Sequence, residues 1–311
     1  MVLSINNVSP PTFNVELKSN WNNGASKLTF SLLGDKNSVK NGDYVTFTHE
    51  GNEVFAGFVF EHALQRDGLV KVTCYDQLRY FKAKDSVMRK NMSLKQFVKS
   101  RCEALGLQIG ELEDSAVTLE PYLFDNQTNL DMIYESINTN LLLNGYYYCL
   151  RDEFGKVALK ELYSLRLPLQ LGDMSGVYDF QSISSIDVDT YNRIKLAKDN
   201  ETSGKRDIYI AQDSSTFDTF GVLQYFEKVT SDLNESQLKE RAEMLLKVKN
   251  RETKKLELSA LGDSTVLGGN GIYVKIEEAG IDGWAIVESV THKFTNPYTM
   301  KLSLIIEEGN V

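Results

Sequence analysis

Apolar and polar residues alternate through the first part of the chain. Leu28-Thr29-Phe30-Ser31-Leu32-Leu33 precedes a turn at Gly34-Asp35-Lys36-Asn37, and Tyr44-Val45-Thr46-Phe47-Thr48 follows. A second turn at Glu50-Gly51-Asn52 leads into Val54-Phe55-Ala56-Gly57-Phe58-Val59-Phe60. A break at Arg66-Asp67-Gly68 then precedes Val70-Lys71-Val72-Thr73-Cys74-Tyr75. A period of two puts alternate side chains on opposite faces of a strand, and short strands at this spacing predict a small barrel or sandwich.

Near residue 83 the period changes. Ser93-Leu94-Lys95-Gln96 has the form of a capping box, in which the serine hydroxyl accepts from the amide three residues on and the glutamine reaches back. The predicted helix runs to Leu105, with Gly106 at the left-handed stop. Leu130, Ile133, Ile137 and Leu141 recur at spacings of three and four and predict a second helix from Thr128 or Asn129 to Gly145. Tyr146-Tyr147-Tyr148-Cys149-Leu150, a turn at Arg151–Gly155 and Val157–Leu162 read as a hairpin. From about 165 the pattern is strand-like again, apart from a helix over 235–249 capped by Asn234 and Gln237, with Leu238, Ala242, Leu245 and Leu246 on its apolar side.

The two ends of the chain echo one another. Gly42-Asp43-Tyr44-Val45 resembles Gly271-Ile272-Tyr273-Val274, Phe55–Glu61 resembles Trp284–Glu288, and Lys71-Val72-Thr73 resembles Lys301-Leu302-Ser303. The expected fold is mainly β with an α+β insertion over 83–164, and the echo is either the likeness of any two hairpins or two copies of one small β-domain, 1–82 and 165–311, flanking that insertion. The segment 165–311 carries the inserted helix 235–249.

Charge and chemistry narrow the function. The chain has 311 residues, with 43 acidic against 34 basic and a formal net charge of −9. No basic cluster of the kind that grips phosphate backbones is present beyond Lys247–Lys255, which reads as a helix end and a solvated strand start, so tight nucleic-acid binding is not expected. No apolar run is long enough to span a bilayer, and no secretory signal opens the sequence. Three scattered cysteines, Cys74, Cys102 and Cys149, read as buried thiols of a reducing compartment. The three histidines, His49, His62 and His292, are isolated, so no metal and no cofactor is expected. The glycine-rich run Gly262–Gly271 leads into a strand and not a helix, which makes it a loop and not a phosphate cradle. Among paired carboxylates, Glu277-Glu278, Glu307-Glu308 and Asp187 with Asp189, only the last two are expected to share a strand face. A solvated strand is the better account of them than glycosidic chemistry.

Motifs from end to end carry a family resemblance: Val39-Lys40-Asn41-Gly42-Asp43-Tyr44-Val45, Tyr75-Asp76-Gln77-Leu78-Arg79-Tyr80-Phe81, Asp125-Asn126-Gln127-Thr128-Asn129-Leu130, Tyr191-Asn192-Arg193-Ile194, Asn234–Ala242 and Gly271–Val274. In order and spacing they resemble the XkdQ/YqbQ-type proteins of contractile phage tails and tailocins, which are similar to the baseplate hubs of phage Mu and the late control protein D family. The resemblance implies a structural hub and not an enzyme. It implies a homotrimer in which two similar small β-barrel domains per chain, 1–82 and 165–311, make a pseudo-sixfold ring between a hexameric tail tube protein and a trimeric spike protein, beside other baseplate components. The implied location is the virion or tailocin particle, after assembly in the host cytoplasm. Three such chains would carry a formal −27, expected in part to line the channel and repel anionic cargo. Phe55, Phe58 and Trp284 are the expected interface anchors. The competing readings are a tail-associated peptidoglycan hydrolase and a glycan-binding module, for which Tyr146, Tyr147 and Tyr148 are the candidate platform.

Overall fold

A computed structural model describes residues 1–35, 37–187, 189–200, 205–229 and 234–306, apart from the side chain of Asn200. The chain divides into a larger compact unit, residues 1–182 with 256–311, and a smaller one, residues 183–255.

The larger unit opens with six strands: β1 (Val2–Ile5), β2 (Thr12–Asn20), β3 (Lys27–Leu33), β4 (Tyr44–His49), β5 (Asn52–Leu64) and β6 (Leu69–Tyr75). Their order in the sheet is β1-β4-β5-β6-β3-β2. Alternation sends Val45, Phe47, Phe55, Val59, Val70 and Val72 into one core with Leu28, Phe30 and Leu32. Each such side chain, fully buried, contributes about 1.5–3 kcal/mol.

The middle segment follows with β7 (Lys84–Arg89), β8 (Met92–Ser93), α1 (Leu94–Ala104), β9 (Ile109–Leu112), β10 (Thr118–Leu119), β11 (Tyr122–Thr128), α2 (Asn129–Asn144), β12 (Tyr148–Asp152) and β13 (Val157–Glu161). The α1 capping box forms as the spacing predicts: the Ser93 hydroxyl accepts from the Gln96 amide and the Gln96 side chain accepts from the Ser93 amide. Gly145 ends α2 at φ 78°, a conformation glycine adopts without a Cβ penalty. The tyrosine-led hairpin is β12–β13, to which β9 adds in parallel. Two short pairs, β7 with β11 and β8 with β10, are absent from the sequence-based expectation. The β8 and β10 strands have two residues each and the β7–β11 pairing is interrupted between Phe124 and Gln127, so no sustained alternation marks them.

Beyond a short 3-10 turn come β14 (Arg166–Gly172) and β15 (Val177–Ser185). The smaller unit then supplies β16 (Arg193–Asn200), β17 (Lys205–Gln212), the one-turn helix α3 (Phe217–Phe220), β18 (Gln224–Val229) and α4 (Glu235–Lys249). The α4 helix has the predicted Asn234–Gln237 capping box and buries Leu238, Ala242 and Leu245. The chain closes with β19 (Thr253–Leu261), β20 (Gly271–Ile276), β21 (Ile281–Lys293) and β22 (Thr299–Ile306).

These last strands repeat the first set. β14 pairs with β20, and the path continues β20-β21-β22-β19-β15. Numbered by appearance within its own set, each half runs first, fourth, fifth, sixth, third, second. The repetition reaches individual hydrogen bonds. Gly42 N donates to Val59 O and Gly269 N to Val287 O, each at 2.8 Å; Val59 N returns to Asp43 O and Val287 N to Asn270 O. The Asp43 carboxylate accepts from Lys40 N, and the Asn270 side-chain oxygen from Leu267 N, each at 2.8 Å. Gly42 and Gly269 take φ of 91° and 87°. A register shift follows Val59 in the β5–β6 pairing and Val287 in the β21–β22 pairing. Gly42 therefore matches Gly269 and not Gly271, so the echo read from sequence finds the right strands two residues out of register. Lys71-Val72-Thr73 and Lys301-Leu302-Ser303 do correspond.

The halves differ in that β1 runs antiparallel to β4 while β14 runs parallel to β20. β2 pairs with β21, joining the halves in one 12-stranded sheet. None of the sheets is closed among the described residues: the path runs from β1 to β15, and β2 pairs with Ser289–Lys293 of β21, beyond the Ile281–Ile286 stretch of β21 that pairs with β20.

Candidate assembly interface

Strand alternation separates the three expected anchors. Phe55 points inward and is 3 % exposed in the first core. Phe58 points outward on the same strand, its ring 5.3 Å from Tyr44 and 5.9 Å from Tyr80. Tyr80 also meets Phe60, which meets Tyr75, and the Arg79 guanidinium lies 5.3 Å over the Phe60 ring. The result is a half-buried aromatic stripe across the outer face of β4, β5 and β6. Trp284 points outward from β21, with Tyr273 edge-on at 5.7 Å. The Arg166 guanidinium sits between Trp284, at 4.5 Å, and the exposed Tyr163, at 3.8 Å. Each half thus carries an outward aromatic patch braced by arginine, the kind of rigid, amphipathic surface enriched at interface centres. Tyr80 escapes a reading of strand residues alone, because it enters from the turn after β6.

That turn is the Tyr75–Phe81 motif, which joins the first strand set to the middle segment. Asp76 accepts from Ser26 N at 2.7 Å and Leu78 N at 2.9 Å. The Gln77 side chain donates to the Gly155 carbonyl and accepts from Gln108 N. Leu78 and Phe81 enter the middle core, while Arg79 and Tyr80 turn outward. Asp152, at the end of β12, accepts from Gly155 N, and its second oxygen is buried with no hydrogen-bond partner. Burial, and the proximity of two carboxyls, raise Asp76 to about 8; burial raises Asp152 to about 6.

The remaining candidates resolve into structural parts. His292 is fully buried: its Nε2–H donates to Val266 O at 2.8 Å and its Nδ1 accepts from Tyr298 O–H at 2.9 Å. Burial lowers its pKa to about 4 and fixes the neutral ring. His62 lies on the surface against Asn41. Asp187 and Asp189 do not share a strand face. They lie between β15 and β16, where Asp189 adopts φ 60° and breaks the extended run, and Asp189 pairs with Lys249. Glu277-Glu278 lies in the β20–β21 turn, and Glu307-Glu308 lies outside the described residues.

The glycine-rich loop is a close-packing device. A Cβ on Gly268 would come within 2.3 Å of the Asn20 carbonyl carbon, so only glycine lets the loop lie against the end of β2. The three tyrosines divide: Tyr146 is exposed, Tyr147 packs edge-on against Trp21, and Tyr148 is buried. They make no shared platform. Burial pushes all three cysteine thiols up, and each cysteine is free and buried. Among the described residues no group of three or more His, Cys, Asp or Glu could hold a metal, and no helix is long and apolar enough to cross a membrane.

The architecture is that of phage tail proteins. It is similar to the 43 kDa tail protein of prophage MuSo2 from Shewanella oneidensis, with a TM-score of 0.74 at 11 % identity over 98 % of both chains. It is also similar to a tail protein of Neisseria meningitidis MC58, with a TM-score of 0.73 at 13 % identity over 99 % of this chain and 97 % of that one. At these identities the likeness is one of fold. The YQBQ-like family model matches residues 15–305, and the chain belongs to that family. It is 30 % identical over 274 residues to the phage-like element PBSX protein XkdQ of Bacillus subtilis strain 168, covering 86 % of this chain and 82 % of that protein.

Proposed function

We propose that this chain is a structural protein of a phage-type tail, and within it the central hub of a contractile baseplate. The observation that carries the reading is the strand order that occurs twice, with the same glycine turn and the same register shift in each half. A homotrimer of such chains offers six similar strand sets in a ring. That arrangement suits a hexameric tail tube protein on one side and a trimeric spike protein on the other. In this reading residues 1–82 and 165–311 act as two tube-like domains around the middle domain 83–164, closing as barrels in the assembled ring. Phe58 and Trp284, with their aromatic neighbours, meet adjacent subunits or the tube.

The acidic balance supports a channel wall that repels anionic cargo. Thirteen basic and thirteen acidic residues fall within 183–255, so the whole −9 belongs to the larger unit that would form the ring. The chain would act in the virion or tailocin particle and be assembled in the bacterial cytoplasm. No observation favours the hydrolase or glycan-binding readings over this one: the carboxylates that would serve the first and the tyrosines that would serve the second are dispersed.

Native mass spectrometry of the purified chain with its spike partner tests the reading. Three copies of the chain per complex are expected. A stoichiometry of one or six per spike trimer contradicts it.

A further inference from the structure

The smaller unit has a sheet face that its own helix leaves open. In the β17-β16-β18 sheet, Ile194 and Leu196 are buried, and Glu227 on the same side bonds Arg241 of α4. The other side carries a different set. Lys195 stands between Ile210 and Phe226 across the ladder, and Ala197 between Ile208 and Lys228. Ile208, Ile210 and Phe226 are 51 %, 55 % and 52 % exposed. Arg193 and Arg206 extend the same rows, and Asp199 is the carboxylate among them, paired with both Arg206 and Lys228. Three large apolar side chains therefore share the face with four cations and one carboxylate, with Lys195 standing between two of them. The unit as a whole balances its charges, so the positive sign belongs to this face. An exposed apolar patch whose charges sum to one sign marks a docking surface for a partner of opposite sign.

The larger unit has a surface of that description at the β15 end of the joined sheet. No Lys or Arg occurs between Arg166 and Arg193, while Asp173 and Asp179 do; Lys254 and Lys255 of the neighbouring β19 lie toward the far end of β15, away from Asp173. Met174, Tyr178 and Leu261 are exposed at 105 %, 64 % and 56 %, and the bond from Leu261 N to Gly176 O holds Leu261 beside the Met174 turn. We propose that the outer face of β16, β17 and β18 docks on this acidic, apolar end of the sheet in a second copy of the chain. Like cationic faces repel, so the contact joins two different surfaces and repeats head to tail, which closes into a ring when the rotation permits. The proposal rests on the trimeric reading above and names the surface that makes the trimer.

Sedimentation of the purified full chain across a micromolar range, at low and high salt, tests it. The wild type is expected to associate, and more weakly at high salt because the rim charges are screened. Phe226→Asp shifts the chain to monomer at concentrations where the wild type is associated. Lys195→Glu and Asp179→Lys each weaken association about tenfold, and the double variant recovers most of the loss. Circular dichroism of the variants matching the wild type separates lost docking from lost fold. Association that Phe226→Asp leaves unchanged overturns this contact and leaves the trimeric reading standing. A wild type that stays monomeric throughout overturns the contact, and the spike complex then decides the trimeric reading separately. Variants that keep self-association but lose another tail protein assign the face to that protein and overturn the proposal.

Discussion

The first and last strand sets share a path, a turn and a register shift, yet few of their side chains agree. What they share sits where the backbone has one workable solution. Gly42 and Gly269 both need positive φ, and Asp43 and Asn270 both close the turn with a side-chain oxygen on the amide three residues back. What differs sits on faces. The first set shows Tyr44, Phe58 and Tyr80 outward, while the second shows Trp284 braced by Arg166. The connection after the second strand also differs: residues 21–26 link β2 to β3, whereas the whole smaller unit separates β15 from β19. Turn chemistry and register thus outlast surface chemistry, which leaves each half free to meet its own neighbour.

The largest expected difference between the halves lies in their cores. Phe47 occupies in β4 the place that Val274 occupies in β20, and both are fully buried. Phe47→Ala is expected to lower unfolding free energy by about 3–5 kcal/mol, and Val274→Ala by less, in chemical denaturation. Equal losses would mean that Phe47 and Val274 do not hold corresponding places in the two cores.

A second difference concerns protons. Asp76 and Asp152, beside the first half, hold protons more tightly folded than unfolded. Their contribution to stability is full in acid and is lost as pH rises from the ordinary carboxylate range through about 8. His292, in the second half, holds its proton less tightly folded. Its contribution is full above the ordinary imidazole range and is lost as pH falls toward about 4. Asp76→Asn should therefore flatten the loss of stability as pH rises toward 8, and His292→Gln the loss as pH falls toward 4. A variant that flattened the opposite limb would reverse these assignments.

The shared turn gives a smaller contrast. A Cβ on Gly42 meets open space, whereas one on Gly269 would lie 2.6 Å from Cys149 Sγ. Gly42→Ala is expected to cost about 1 kcal/mol from backbone strain alone, and Gly269→Ala more. Smallest of all is Tyr80→Ala, expected to change stability by about 1 kcal/mol or less while reducing incorporation into particles. Unchanged incorporation, read by particle yield, would remove the first aromatic stripe from the interface.

Much of this was legible in the sequence where chemistry is local. The Ser93–Gln96 and Asn234–Gln237 boxes, the Gly145 stop and the helix over 235–249 follow from cap residues and period. Features set by distant partners were not legible. The duplicated turn reads two residues out of register because Tyr44 and Tyr273 align as identical residues, while the hydrogen bonds are made by Gly269 and Asn270. The Asp76–Asp152 joint brings together residues far apart in the chain. Tyr80 reaches the outer face from a turn, and one positive φ at Asp189 removes a strand face that alternation alone would suggest. Among the anchors, alternation along β5 already sends Phe55 and Phe58 to opposite sides, and burial then decides which is inside.

A hub that adapts threefold to sixfold symmetry needs two strand sets in one chain standing as equivalents in a ring. Cryo-electron microscopy of an assembled baseplate measures this directly. It should find three chains whose first and last sets lie at one height and radius, related by about one-sixth of a turn around the channel. First and last sets at different heights or radii would contradict the adaptor role, even if the chain were trimeric.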